Sequence, residues 1–207
     1  MKYLFSAILL FTVSIVNAQG PGSIALNVYG GYTFPDRVRL DNYYSDIQGA
    51  FEWGGGLEYF VRRNKSIELK YLRMDTRFPL YSPLGNQVNK NNDNGALNFI
   101  LLGGNNYFAR TTDQKLVPYA GVDLGVGWAD GPNQSSGAKF AWDAKLGVKL
   151  MTSSAVSFKL HAYVQSMISA FGTDFWYYPG WGTYAVADYA HIFQFGLGGA
   201  ICFGKNK

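Results

Sequence analysis

The sequence predicts an all-β chain, an eight-stranded antiparallel up-and-down barrel that crosses a membrane, on three observations. Apolar and polar residues alternate with a period of two in eight separate segments. The connections between those segments are alternately long and short. Aromatic residues on the apolar faces gather at two heights.

The segment at residues 139–150 shows the pattern most plainly. Phe140, Trp142, Ala144, Leu146, Val148 and Leu150 form one set, and Lys139, Ala141, Asp143, Lys145, Gly147 and Lys149 the other. A helix would scatter the lysines around its whole surface, whereas a strand collects them on one side. Composition agrees: 17% of residues are aromatic and 25 are glycine, which suits many short strands. No window offers the roughly 20 consecutive apolar residues of a helical span.

Residues 1–18 begin Met1-Lys2, run apolar to Val16 and close on Asn17-Ala18, the form of a cleaved secretory signal peptide. The remaining residues, 19–207, then form one barrel domain. Its single cysteine, Cys202, excludes an intramolecular disulfide. The formal charge of +4 falls to +3 when Lys2 leaves with the signal. The bases form no long run, which speaks against nucleic-acid binding.

In the first strand, residues 23–34, Ile24, Leu26, Val28, Tyr32 and Phe34 alternate with smaller or polar partners before Pro35-Asp36 ends it. A polar stretch at 37–49 leads to the second strand, 50–61, where Phe51, Trp53, Leu57, Tyr59 and Val61 oppose Glu52 and Glu58. Arg62-Arg63-Asn64-Lys65 is a hairpin-length link. The third strand, 66–76, sets Ile67, Leu69 and Tyr71 against Glu68 and Lys70.

An asparagine-rich loop at 82–94 precedes the fourth strand, 95–108, for which the apolar rule places Leu97, Phe99, Leu101 and Tyr107 on the outer face. After a short link the fifth strand, 116–129, opposes Val122, Leu124, Val126 and Trp128 to Tyr119 and Asp123. A loop at 130–137 enters the sixth strand, 139–150, and a tight turn at 152–155 the seventh, 156–169. There Phe158, Leu160 and Val164 oppose Lys159, His161, Tyr163 and Gln165. A long aromatic loop, 170–190, precedes the eighth strand, 191–203, with Phe193, Phe195, Leu197, Ile201 and Phe203 outward.

Alternating long and short connections are what a barrel shows when its ends face different compartments, and the strands reach the roughly 9–11 tilted residues that cross a bilayer. Both termini then fall at the short-turn end, in the periplasm. On the apolar faces, Tyr59, Tyr107, Phe158 and Phe203 lie near the short turns, and Tyr32, Trp53, Trp128, Phe140, Trp142 and Phe193 near the long loops. Between these girdles no charge falls on the apolar face, as lipid requires, since Lys or Arg at mid-bilayer costs about 2–4 kcal/mol. A soluble two-sheet sandwich also needs alternating faces but gives no reason for banded aromatics.

The opposite face carries Glu52, Glu58, Glu68, Asp123 and Asp143 with Lys70, Lys139, Lys145, Lys149 and Lys159. An eight-stranded lumen is barely wide enough for its own side chains. These charges are therefore expected to pair and plug the barrel, because unpaired buried charge is costly.

Signal peptide, eight alternating strands, long outer loops, short inner turns and the closing strand HIFQFGLGGAICF together resemble the small outer-membrane β-barrel family of Gram-negative bacteria, of the outer-membrane protein A and X type. The resemblance covers nearly all of the mature length. It implies outer-membrane localisation and insertion by the barrel-assembly machinery, which in that family reads a last strand ending in phenylalanine. Phe203 would fill that role, although Gly204-Lys205-Asn206-Lys207 follow it.

For His161, also placed in the lumen, two readings stand: a catalytic base or a hydrogen-bonded interior side chain. The deacylase type of lipid-A-modifying barrel pairs a histidine with a serine two residues on. Here the sequence reads His161-Ala162-Tyr163 and His191-Ile192-Phe193. No HExxH and no cysteine cluster points to a metal or cofactor. The run Asn89-Lys90-Asn91-Asn92-Asp93-Asn94-Gly95 departs from a calcium loop in its glycine position and in having Ile100 at the twelfth place.

Phe171, Phe175, Trp176, Tyr177, Tyr178, Trp181, Tyr184 and Tyr189 form an aromatic cluster in the long loop. It reads either as a binding surface or as an extension of the girdle. Arg37, Arg39, Arg73 and Arg77 near the outer rim suit lipopolysaccharide phosphates, or an ordinary basic rim. The expected function is non-enzymatic, in envelope structure, surface adhesion or a larger outer-membrane complex. The alternatives are a lipid-A or phospholipid hydrolase and a narrow pore.

Overall fold

The computed structural model describes residues 21–39, 43–90, 93–111, 114–131, 136–152, 155–178 and 182–204, and the backbone alone for those between 168 and 190. The signal-peptide expectation for residues 1–18 lies outside them. The strands are β1 Ile24–Thr33, β2 Asp36–Arg39, β3 Tyr44–Ile47, β4 Ala50–Arg62, β5 Lys65–Arg77, β6 Leu80–Tyr81, β7 Asn94–Tyr107, β8 Leu116–Asp130, β9 Lys139–Leu150, β10 Val156–Tyr178 and β11 Gly182–Phe203.

Eight of them close a barrel in the order β1-β4-β5-β7-β8-β9-β10-β11. Every pair is antiparallel, and the seam runs from Leu26 opposite Phe203 to Thr33 opposite Gly196. Closure leaves no sheet edge, so every spanning strand finds its hydrogen bonds inside the sheet, as a lipid environment demands. The outer wall is oily: Leu146 is 67% exposed, Phe51 61% and Val122 57%. A wall of exposed Leu, Val, Ile and Phe this continuous is stable against hydrocarbon and unstable against water. Tyr59, Phe158 and Phe203 are exposed at the short-turn end, and Tyr32, Trp53, Phe140 and Phe193 at the other.

Three expectations need correction. Leu97, Phe99, Leu101 and Tyr107 do not face outward; all four are buried in the lumen, while Ile100 and Leu102 are exposed. Antiparallel partners share a face, and Leu101 lies opposite Lys70, so the inward lysine carries Leu101 inward with it. Tyr107 therefore leaves the girdle.

Residues 37–49 are not a structureless polar stretch. They hold β2 and β3, which form a separate three-stranded sheet with β6. Val38 and Ile47 of this sheet are buried in one cluster with Met74, Leu97, Phe99 and Ile192. An apolar cluster thus fills the lumen beneath the small sheet, which caps it.

Residues 170–178 and 182–190 are strand and not loop. Strands β10 and β11 continue as one hairpin to Tyr178 opposite Gly182, with a register shift between Phe171 and Asp174. Aromatic and β-branched residues favour strand there. Trp181 lies outside the described residues, as do the side chains of Phe171, Phe175, Trp176, Tyr177, Tyr178, Tyr184 and Tyr189.

Candidate functional site in the barrel interior

Inward parity brings the acids and bases of five strands, β4, β5, β8, β9 and β10, together in the lumen. Glu58 of β4 is the hub. Its carboxylate accepts hydrogen bonds from Lys159 Nζ at 2.8 Å, Ser66 Oγ at 2.5 Å, Tyr107 OH at 2.5 Å, and Asn27 and Asn105 Nδ2, each at 3.1 Å. Neighbouring Glu68 accepts from Asn27 at 2.5 Å, Asn105 at 2.9 Å and the Tyr29 hydroxyl.

From Glu68 the charges alternate. Lys145 Nζ lies 3.3 Å from Glu68 and 2.8 Å from Asp123, and Lys70 Nζ lies 2.8 Å from Asp123 and 2.7 Å from Asp143. All seven charged side chains are essentially without solvent exposure. At this burial, each carboxylate is tolerable only because a cation or several donors meet it.

Three expected members stand apart. Glu52 meets an amide and not an amine, accepting from Gln165 Nε2 at 2.8 Å. Lys149 Nζ is buried without a hydrogen-bond partner, 5.1 Å from the ring centres of both Phe60 and Tyr107. Lys139 is only half-buried, near the outer end. His161 has Nδ1 2.9 Å from the Tyr119 hydroxyl and its ring among Tyr29, Tyr119 and Tyr163.

A cavity lined by Glu52, Lys70, Asp143, His161 and Tyr163 has a volume of about 10 Å³, room for about one water. Among the described residues no group of three His, Cys, Asp or Glu is placed to hold a metal ion.

Sequence reasoning missed Asn27, Tyr29, Phe60, Ser66 and Asn105 as members of this interior. Asn27 and Tyr29 were visible on the inward parity of β1. Asn105 follows only from the inward face of β7 that its pairing with β5 sets, because the apolar rule points that face outward.

At the outer end, Arg37 pairs with Asp46 at 2.5 Å, Arg73 with Asp75 at 2.7 Å and Arg77 with Asp93 at 3.0 Å. Three of the four rim arginines are thus already neutralised by the chain's own carboxylates.

No family model matches this chain. No curated protein matches it either. Solved structures do. The outer membrane protein OprG from Pseudomonas aeruginosa superposes with a TM-score of 0.56 at 15% identity, covering 91% of this chain and 100% of that one. Neisserial surface protein A gives 0.52 at 11% identity, covering 86% and 96%. With the closed sheet and its oily wall, these likenesses show that the chain has the fold of the small eight-stranded outer-membrane β-barrels.

Proposed function

We propose that the chain is a non-enzymatic integral outer-membrane protein with a closed lumen, acting through its outer end in envelope structure, adhesion or a larger outer-membrane assembly. The observation that carries this reading is the filled interior. Tyr119, Phe60, Phe99, Lys149, Lys159 and Met167 are each fully buried inside the barrel. A lumen packed with rings and ion pairs offers neither a continuous water path nor a cleft for a substrate.

The short-turn end, where β1 begins and β11 ends, faces the periplasm in this reading, after export by the signal peptide. The barrel-assembly machinery would read β11, whose last residue, Phe203, points outward at 38% exposure. The extended β10–β11 hairpin and the β2–β3–β6 cap form the part that projects toward the outside. The hairpin's aromatics, Phe171, Phe175, Trp176, Tyr177, Tyr178, Trp181 and Tyr184, are the candidate contact surface for a partner or for lipopolysaccharide.

Purified protein in planar bilayers tests the closed lumen: no defined conductance step is expected, and a reproducible ion-selective step would contradict it. Mass spectrometry of lipid A and phospholipids from a deletion strain tests the non-enzymatic reading. An altered profile restored by wild type but not by His161→Ala would overturn it. Pull-down from detergent-solubilised outer membranes, with and without residues 170–190, tests the hairpin.

A further inference from the structure

Three cations at the outer end are met by carboxylates, while Arg39 and Lys90 there are exposed with no ion partner among the described residues; at the short-turn end none of the exposed cations described is met. At the outer end Arg37, Arg73 and Arg77 each face a carboxylate. At the short-turn end Arg62, Arg63, Lys65, Arg110 and Lys115 are all exposed, and none has an ion partner among the described residues.

These five bases are not spread around the rim. Arg62, Arg63 and Lys65 belong to the β4–β5 turn, and Arg110 and Lys115 to the β7–β8 connection. The two turns are neighbours, because Lys65 lies opposite Asn106 and Tyr107 N donates to Asn64 O at 2.8 Å. The remaining short turn, at residues 151–155, has no charged residue. In the sequence, Asp113 falls within the β7–β8 connection and Lys205 and Lys207 follow β11; all three lie outside the described residues. In the sequence of the two turns, five bases stand to one acid.

The arc also sits at a defined height. Beside it, Tyr59 and Val61 of β4, Leu116 of β8 and Phe108 just past β7 are exposed apolar side chains, between 46% and 50% exposed. Cations at the lower border of a lipid-facing band lie level with lipid headgroups, and long basic side chains reach the phosphates there while their stems stay on the oily wall. Arginine adds a bidentate fit to phosphate oxygens.

We propose that this one-sided arc, Arg62, Arg63, Lys65, Arg110 and Lys115, is a binding site for anionic phospholipid headgroups of the leaflet at the short-turn end. It gathers such lipids on the β4–β8 side of the barrel. The leaflet assignment rests on the periplasmic placement of that end; the headgroup chemistry does not.

The test uses the full mature chain reconstituted in phosphatidylethanolamine vesicles with spin-labelled phosphatidylglycerol or spin-labelled phosphatidylcholine at the protein boundary. Wild type should prefer phosphatidylglycerol. Each base replaced by glutamine should lower the preference, by up to about fivefold, since a base near an anionic surface is worth about 1 kcal/mol. The variant Arg62→Gln/Arg63→Gln/Lys65→Gln/Arg110→Gln/Lys115→Gln should abolish it, while Arg37→Gln/Arg73→Gln/Arg77→Gln should leave it intact.

Equal lipid selectivity in wild type and the five-fold variant would overturn the site, as would equal loss in the outer-rim variant. Should the five-fold variant fail to fold, Arg62→Gln/Arg63→Gln and Arg110→Gln/Lys115→Gln make the same comparison separately. Placement is read independently, by reacting Lys65→Cys with a membrane-impermeant maleimide in intact cells. No labelling is expected; labelling would overturn the leaflet while the vesicle result still judged the headgroup chemistry.

Discussion

Lys159 Nζ and Glu58 Oε2 meet at 2.8 Å across the barrel axis, from β10 and β4, which are not neighbours in the sheet. The pair braces opposite walls, but its two halves are unequal. Glu58 accepts from four donors besides Lys159, contributed by Ser66, Tyr107, Asn27 and Asn105. Lys159→Met leaves Glu58 with those four, so it should cost about 3 kcal/mol, the low end for breaking a buried pair. Glu58→Met strands the ammonium and four neutral donors together, and should cost about 5 kcal/mol. Urea unfolding in lipid vesicles, followed by tryptophan fluorescence, measures both; equal losses would contradict the hub role of Glu58.

Lys149 should behave in the opposite way. Its ammonium is buried with no hydrogen-bond partner and faces only the rings of Phe60 and Tyr107. A desolvated cation–π contact returns about 2 kcal/mol, less than burying an unpaired ammonium costs. Lys149→Met keeps the volume and removes the charge, so the same unfolding measurement should show stability unchanged or raised by about 1 kcal/mol. A loss like that of Lys159→Met would mean that the ammonium is bonded in solution.

The contrast between these lysines marks where sequence reasoning ends. Alternation alone put Lys145, Lys149 and Lys159 in the lumen, because side-chain direction follows from parity. Which lysine finds a carboxylate depends on distances across the axis, and parity carries no such information. Parity also fails where both faces are apolar: Ala96 to Leu102 offers no contrast except Asn98, and only pairing with β5 settles its faces. Strand ends fared worst at the long-loop side. The β10–β11 hairpin continues its pairing well beyond the apolar band, and β2 and β3 each offer only one deeply buried apolar side chain, Val38 and Ile47.

The small sheet should be separable from the barrel. Ile47 and Val38 are its buried anchors, at 0% and 3% exposure, and its ties include Thr76 Oγ1 to Gln48 O at 2.5 Å and Phe193 N to Asp36 Oδ2 at 2.9 Å. Ile47→Ala should cost about 2–5 kcal/mol locally. Hydrogen exchange at residues 36–47 should quicken strongly while urea unfolding of the closed sheet stays put. Simultaneous loss of both would show that cap and barrel fold as one unit.

The reversed face of β7 gives the sharpest test of the architecture. Leu101 is fully buried opposite Lys70, and its neighbour Leu102 is 55% exposed. Because strand side chains alternate, these adjacent leucines see opposite environments, one an ionic interior and the other lipid. Cysteine placed at each position in turn, in a Cys202→Ala background and tagged with a small fluorophore before folding, reads this directly. The Leu102→Cys probe should be quenched by lipids spin-labelled along the acyl chain, and Leu101→Cys should be silent or block folding, since the interior has no room for the tag. Quenching at Leu101→Cys and silence at Leu102→Cys would shift β7 by one residue. That shift would turn Asn105 and Tyr107 away from Glu58 and dissolve the hydrogen-bond network around its carboxylate.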